Sequence, residues 1–252
     1  IITYMSLVTN RSSEPPAVTV GVVIPAFNEE QNLSSVLSTV RMVDGIHQII
    51  VVDDGSTDAT FHIAEFHARR DAHILAIHLP ENRGKAAAML VGVQALSTDL
   101  VIFLDADLIG LQPLHITKLH TPLKDRECEM TIATFTSGGL LTDASHRISP
   151  NLTGQRCLRR LNAEQALTPL AKARYGAEMG LTIHARNQNW KIIKITWPGV
   201  THCMKEKKRK VAAGLYSRLQ MYHQIMYVLT RNKSGRSFRH RFNFRRFRWP
   251  VQ

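Results

Sequence analysis

Four short runs of apolar, mostly β-branched residues punctuate the first half of the chain, and each stops abruptly at a polar cluster. The run at 18–24 stops at Pro25; that at 49–52 ends in Asp53-Asp54-Gly55-Ser56. A third, at 73–78, leads to Asn82-Arg83-Gly84-Lys85, and the run at 100–104 ends in Asp105-Ala106-Asp107. Helical periodicity fills the gaps. Residues 29–43 place Leu33, Val36, Leu37 and Val40 on one face. Residues 59–70, capped by Asp58, turn Ile63 and Phe66 inward, and the helix after Lys85 buries Ala86, Met89, Leu90 and Val93. Strands apolar on both faces must be covered on both faces, which predicts an α/β fold with a parallel sheet and right-handed crossovers. Ligands of such folds bind at the carboxyl ends of the strands, where the four polar clusters fall.

The second half is less regular. A strand is expected at 130–135, then Gly138-Gly139 and a polar loop to Asn151. A basic segment spans 153–160, and helices are expected at 162–173 and 176–185, the latter with Glu178 near its start. A strand at 190–197 precedes Pro198-Gly199 and Thr201-His202. A last helix at 211–230 aligns Leu215, Leu219, Tyr222, Met226 and Leu229 on one stripe.

The 252 residues are enough for one large α/β domain or two small domains, and at 44% hydrophobic residues wholesale disorder is excluded. The three cysteines, Cys128, Cys157 and Cys203, form no C-x-x-C pair, so neither a disulfide scaffold nor a zinc ribbon is expected, and a reducing cytosol suits them. No apolar run nears the roughly 18 residues of a spanning helix. No secretory signal is read, and Met5 is an alternative start to Ile1. The expected location is cytoplasmic. The net charge of +12 is concentrated at one end: residues 205–252 hold 14 Lys or Arg and the single acid Glu206. The chain therefore divides into a flexible arm (1–17), a domain (18–204) and a basic extension (205–252), with the domain falling into halves at 18–135 and 136–204.

Asp105 and Asp107 are alternate residues at a strand end and point the same way, so both carboxylates can face one hard cation such as magnesium or manganese. The ordinary alternative is that one of them caps the following turn. Asp54, in its turn, either bonds backbone amides or accepts hydrogen bonds from a nucleobase or ribose. Lys85 at a helix start opposes the helix dipole, which makes sense if it and the free amides receive phosphate; a solvated lysine is the alternative. No G-x-G-x-x-G, Walker A, G-x-S-x-G or H-E-x-x-H motif occurs, and most of the 12 histidines read as surface or packed residues.

Taken together, VVIPAFNEE (22–30), IVVDDGSTD (50–58), NRGK (82–85) and FLDADL (103–108) resemble the family-2-type nucleotide-sugar glycosyltransferases of GT-A fold. LTGQRCLRR (152–160), YGAEMGLTI (175–183) and PGVTH (198–202) resemble a bacterial subgroup similar to the glucosyl-3-phosphoglycerate synthases and polyprenyl-phosphate glycosyltransferases. The resemblance implies a GT-A, Rossmann-like sheet and a metal-dependent enzyme moving a sugar, first glucose, from a nucleotide donor, first UDP. The acceptor would be a hydroxyl or phosphate, on a lipid or a phosphorylated small molecule. Pro25, Ala26, Phe27, Glu29, Asp54 and Ser56 would line the base and ribose pocket, Lys85 would reach the phosphates, and Asp105, Ala106 and Asp107 would meet the metal–diphosphate. His202 would be a third metal ligand, Glu178 the acid or base on the acceptor side, and Gly154, Gln155, Arg156 and Tyr175 the acceptor contacts. Mg2+ or Mn2+ is the implied cofactor. Two departures bear on the acceptor: 136–151 is short beside many relatives, and Thr153 stands where Ser is more usual.

Two rival readings exist. A non-catalytic binding protein on a transferase scaffold would use the tail for membrane or nucleic acid, and the intact acidic motif argues against it. A receiver-like phosphorylation domain has no place for 25–30 or the C-terminal half. The tail interleaves cations with Phe238, Phe242, Phe244, Phe247 and Trp249. It suits an anionic membrane at the inner face of the plasma membrane, single-stranded nucleic acid less well, or simple solubilisation or packing on a partner subunit. A homodimer is a further partner left open.

Overall fold

The computed structural model describes residues 17–135, 153–171 and 176–203. The arm, the polar loop after 135, Tyr175, the expected helix at 211–230 and the basic extension lie outside the described residues.

The order is β1 (Val20–Ala26), α1 (Leu33–Arg41), β2 (Ile46–Asp53), α2 (Thr60–Ala68), β3 (Ile74–His78), α3 (Lys85–Ala95), β4 (Leu100–Phe103) and β5 (Leu108–Ile109). There follow α4 (Pro113–Lys124), β6 (Met130–Phe135), β7 (Arg156–Arg159), α5 (Arg160–Leu167), α6 (Ala177–Asn187), β8 (Ile192–Trp197) and β9 (Thr201–His202). Seven strands form one sheet in the order β3-β2-β1-β4-β7-β6-β8. It is parallel throughout except at β7, which runs against both β4 and β6.

The strands are apolar on both faces because two cores meet at the sheet. Val22, Ile24, Val51 and Ile102 pack with Leu33, Val36 and Leu37 of α1 and Ile116 and Leu119 of α4. Val23, Val52, Val101 and Phe103 pack on the other side with Met89 and Val93 of α3, Leu167 of α5 and Leu181 of α6. Alternate residues of one strand thus feed opposite layers, the period-2 geometry of a buried strand.

Three expectations are corrected. Phe66 is half-exposed beneath the Arg70 guanidinium, which lies 3.4 Å from its ring centroid, and His67 is buried in its place. The basic segment at 153–160 contains β7, whose four residues include only two apolar ones, too few to announce a strand. The following helix begins at Arg160 and ends at Leu167. Asp58 does act at the start of α2, where its carboxylate accepts the N–H of Thr60.

After β1 the chain builds outward through β2 and β3, then returns to add β4 on the other side of β1. That reversal opens a crevice at the carboxyl ends of β1 and β4, the usual ligand position of such sheets. A small ribbon covers it. Leu108 of β5 pairs with His202 of β9, and the N–H of Cys203 donates to the carbonyl of Asp107.

Candidate active site

A cavity of about 670 Å3 fills the crevice. Pro25, Ala26 and Phe27 line it from the end of β1, with Glu29 beyond. Asp54, Asn82, Gly84, Lys85 and Ala88 contribute from the two polar turns and α3, and Asp105, Ala106, Asp107 and His202 close it. Ser56 is not among the lining residues; its hydroxyl accepts the N–H of Asn28 and its own N–H donates to Asp53. It therefore braces the loop after β1.

The turn before α3 is built around Asp54. Its two carboxylate oxygens accept the N–H groups of Arg83 (2.8 Å) and Gly84 (2.9 Å) from a 3% exposed position. Gly84 sits at φ 90°, a conformation that side chains with a Cβ rarely adopt, and it turns the chain so that α3 begins at Lys85. The adjacent Asp53 is fully buried and bonds the Nδ1 of His78 at 2.6 Å. The sequence reading missed this pair, although Asp53 and His78 end neighbouring strands in matching register.

Asp105, Asp107 and His202 offer ligand atoms that all lie within 4.8 Å of one another. The ribbon brings His202 back across the sequence, with its Nδ1 3.0 Å from Asp107 Oδ1 and 3.9 Å from Asp105 Oδ2. Burial alone would lower the pKa of His202, but the Asp107 hydrogen bond and the Asp105 charge raise it above the ordinary histidine value. Two carboxylates and an imidazole on one side of a cavity are a donor set suited to Mg2+ or Mn2+. The residues fit the ion that the sequence implied.

Lys85 lies between two acids. Its Nζ is 2.5 Å from Asp105 Oδ1 and 2.5 Å from Glu178 Oε1, with the side chain 34% exposed. Burial works against the ammonium, yet the two carboxylates outweigh it and raise its pKa. Burial likewise tends to raise the pKa of Asp105 and of Glu178, and Lys85 overrides it in both, so both lie below the usual carboxylate range. Glu178 is thus paired with the Lys85 ammonium, which favours its ionised form.

Of the residues expected to touch an acceptor, Gly154 and Gln155 stand beside Asp105 and Arg156 is bonded to α6, while Tyr175 lies outside the described residues. Gln155 is fully buried and its Nε2 donates to Asp105 Oδ2 at 2.7 Å. A Cβ on Gly154 would stand 2.5 Å from both Asp105 oxygens, so only glycine lets this backbone approach. Arg156 is fully buried. Its guanidinium donates to the carbonyls of Thr153 (2.6 Å) and Glu178 (3.0 Å), and burial pulls its pKa down to about 10. It ties β7 to the first turn of α6 and does not face the cavity. Asn82, Gly84 and Ala88 were not picked out as site residues. Asn82 and Gly84 sit inside the NRGK motif, and Ala88 is one helical turn beyond Lys85 on the same face.

The fold and this constellation define a domain of the GT-A, nucleotide-sugar-transferase type with a candidate divalent-metal centre. The chain belongs to glycosyl transferase family 2, whose model matches residues 21–175. It is 34% identical over 196 residues to the glucosyl-3-phosphoglycerate synthase of Mycobacterium tuberculosis, covering 66% of this chain and 60% of that protein. It is also 36% identical over 102 residues to the undecaprenyl-phosphate 4-deoxy-4-formamido-L-arabinose transferase of Yersinia pestis, covering 38% and 31%. The crystal structure of the Mycobacterium tuberculosis synthase with Mn2+, UDP-glucose and phosphoglyceric acid superimposes with a TM-score of 0.66 at 25% identity. That match covers 85% of this chain and 79% of that one. The same enzyme with Mg2+ and UDP gives a TM-score of 0.64. The chain spans about 60% of the length of the curated synthase. Among the described residues, no helix is long and apolar enough to cross a membrane.

Proposed function

We propose that this chain is a metal-dependent glycosyltransferase that moves glucose from UDP-glucose to a phosphorylated small acceptor of the phosphoglycerate type. The observation that carries the reading is the convergence of Asp105, Asp107 and His202 with Lys85 on one cavity at the switch point of the sheet. The longer of the two curated matches, to the glucosyl-3-phosphoglycerate synthase, favours the phosphorylated small acceptor over a polyprenyl phosphate.

In this reading Pro25, Ala26, Phe27, Glu29 and Asp54 receive the base and ribose. Asp105, Asp107 and His202 hold a divalent cation, which supplies Lewis-acid stabilisation of a departing nucleoside diphosphate. Lys85 and the free amides at the start of α3 add fixed positive potential where that negative charge develops. Asp54 keeps those amides in place through its bonds to Arg83 and Gly84. The domain corresponds to 18–204, its first half for the donor and its second for the acceptor.

The test is thermal stabilisation by UDP, UDP-glucose and other nucleotides, with and without Mn2+, in the wild type and in Asp107→Ala. A ligand at about 100 times its Kd adds about 2.7 kcal/mol, which in a domain of this size raises Tm by about 5–10 °C. A Mn2+-dependent shift with UDP that disappears in Asp107→Ala is expected. Glucose transfer to 3-phosphoglycerate, and then to a polyprenyl phosphate, identifies the acceptor. No shift with any nucleotide in a folded protein would sink the reading.

A further inference from the structure

We infer that Lys85 and the divalent cation compete for Asp105, and that Glu178 is the second seat that keeps Lys85 poised to move onto the donor diphosphate. This rests on the function proposed above. The Lys85 ammonium bridges Asp105, at the end of β4, and Glu178, in the first turn of α6, at 2.5 Å from each. Asp105 is at the same time one of the three candidate ligands of the metal centre. Its carboxylate has little freedom to swing from one cation to the other. Gln155 holds Oδ2, and a Cβ at Gly154 would stand 2.5 Å from both oxygens, so the space beside them is closed to any larger residue.

A divalent ion approaching Asp105, Asp107 and His202 therefore meets a positive charge resting on a shared carboxylate. Like charges a few ångström apart in a partly water-excluded site repel strongly, and this lowers affinity for the ion alone. Lys85 also lines the cavity that takes the donor. A diphosphate there offers the ammonium new oxygens, draws it off Asp105 and removes the repulsion. Metal and nucleotide then bind cooperatively, each raising the affinity of the other by the same factor. Glu178 sets how much of the ammonium Asp105 must bear. It is a positioning residue: with it gone, Lys85 rests wholly on Asp105.

The test measures Mn2+ binding to the full chain from the EPR signal of free Mn2+, with and without UDP. It compares wild type, Lys85→Met, Glu178→Gln and the double variant. Mn2+ alone is expected to bind Lys85→Met at least about tenfold tighter than wild type, and the gain in Mn2+ affinity caused by UDP shrinks correspondingly. Glu178→Gln weakens Mn2+ binding in the wild-type background and has no effect in the Lys85→Met background. A simple loss of negative charge near the ion would weaken binding equally in both. Lys85→Gln makes the same comparison if Lys85→Met does not fold. Equal or weaker Mn2+ binding by the Lys85 variants, or a Glu178 effect that persists without Lys85, overturns the inference. A wild type that binds Mn2+ and UDP as proposed but shows no Lys85 effect overturns this inference alone. A wild type that binds neither overturns the proposed function and this inference with it.

Discussion

Asp105 is held from several sides: Lys85 takes Oδ1, Gln155 takes Oδ2, and the Gly154 backbone closes the space beside both. Partners behind a metal ligand fix its direction, and losing one typically costs about 10–100-fold in metal affinity. Gly154→Ala is thus expected to weaken Mn2+ binding by at least about tenfold, because its Cβ would collide with a carboxylate that two hydrogen bonds keep in place. The accompanying loss of stability is about 1–3 kcal/mol, so a Mn2+ titration beside urea unfolding separates the two effects. Unchanged Mn2+ affinity would mean that Asp105 relaxes freely. The placement of Asp105, Asp107 and Lys85 around one crevice was legible because each sits in a short motif at a strand end or helix start. His202 was reached only through resemblance, since nothing local to Thr201-His202 says that a two-residue ribbon returns it to Asp107. That Arg156 is buried against Thr153 and Glu178 could not be read from the string TGQR, which does not say which side chain faces the cavity. On β7 that is decided by the strand's antiparallel pairing, a tertiary fact.

At the scale of elements, helix α4 holds a buried histidine, His120, which is 4% exposed and has no hydrogen-bond partner at either ring nitrogen among the described residues. Burial, reinforced by Lys124, lowers its pKa from 6.5 to about 4, so the folded protein keeps it neutral. A depressed histidine pKa contributes stability that is present above the unfolded value near 6.5 and is lost as pH falls toward the folded value. Between pH 7 and 4.5 the wild type should lose about 2 kcal/mol from this group alone. His120→Leu should flatten that part of the profile, read from urea midpoints at the two pH values, and an identical slope in both proteins would refute the assignment. The turn held by Asp54 makes a second case. Asp54→Ala removes the acceptor of two backbone N–H groups. The expected cost is about 1–3 kcal/mol, with a matching fall in UDP affinity because the amides at the start of α3 lose their support. An intact UDP titration would show that the turn holds its shape without Asp54. Of the elements with clean periodicity, β1 and β4 were readable to within two residues at each end, whereas β2 begins three residues before its expected start and α1 four residues after. β7 was not readable, because its place depends on pairing with β4 and β6 and only Cys157 and Leu158 supply its apolar signal.

The whole molecule joins an electrically ordinary body to a strongly basic end. Every residue named at the candidate site lies between Pro25 and His202, whereas 14 of the 32 Lys and Arg residues follow position 204. The two parts therefore predict different responses to salt. Charges separated by more than about 8–10 Å are screened at physiological ionic strength, and a dense basic segment binds polyanions through many such weak contacts that salt weakens together. The site relies instead on short, partly buried pairs, with Lys85 2.5 Å from each of two carboxylates. Retention of the full chain on vesicles rich in phosphatidylglycerol should therefore be strong at 0.05 M salt and lost by about 0.5 M. Replacing Lys205, Lys207, Lys208 and Lys210 with glutamine should lower the salt needed for release. Over the same range, the Mn2+-dependent stabilisation by UDP should change far less than vesicle retention. Measuring both in one salt series decides the point. If UDP stabilisation collapses in step with vesicle release, the basic end and the donor site act as one electrostatic unit and this division of the molecule is wrong. If retention survives 0.5 M salt, the attraction is not carried by the cations, and the aromatic residues among them become the surface to test.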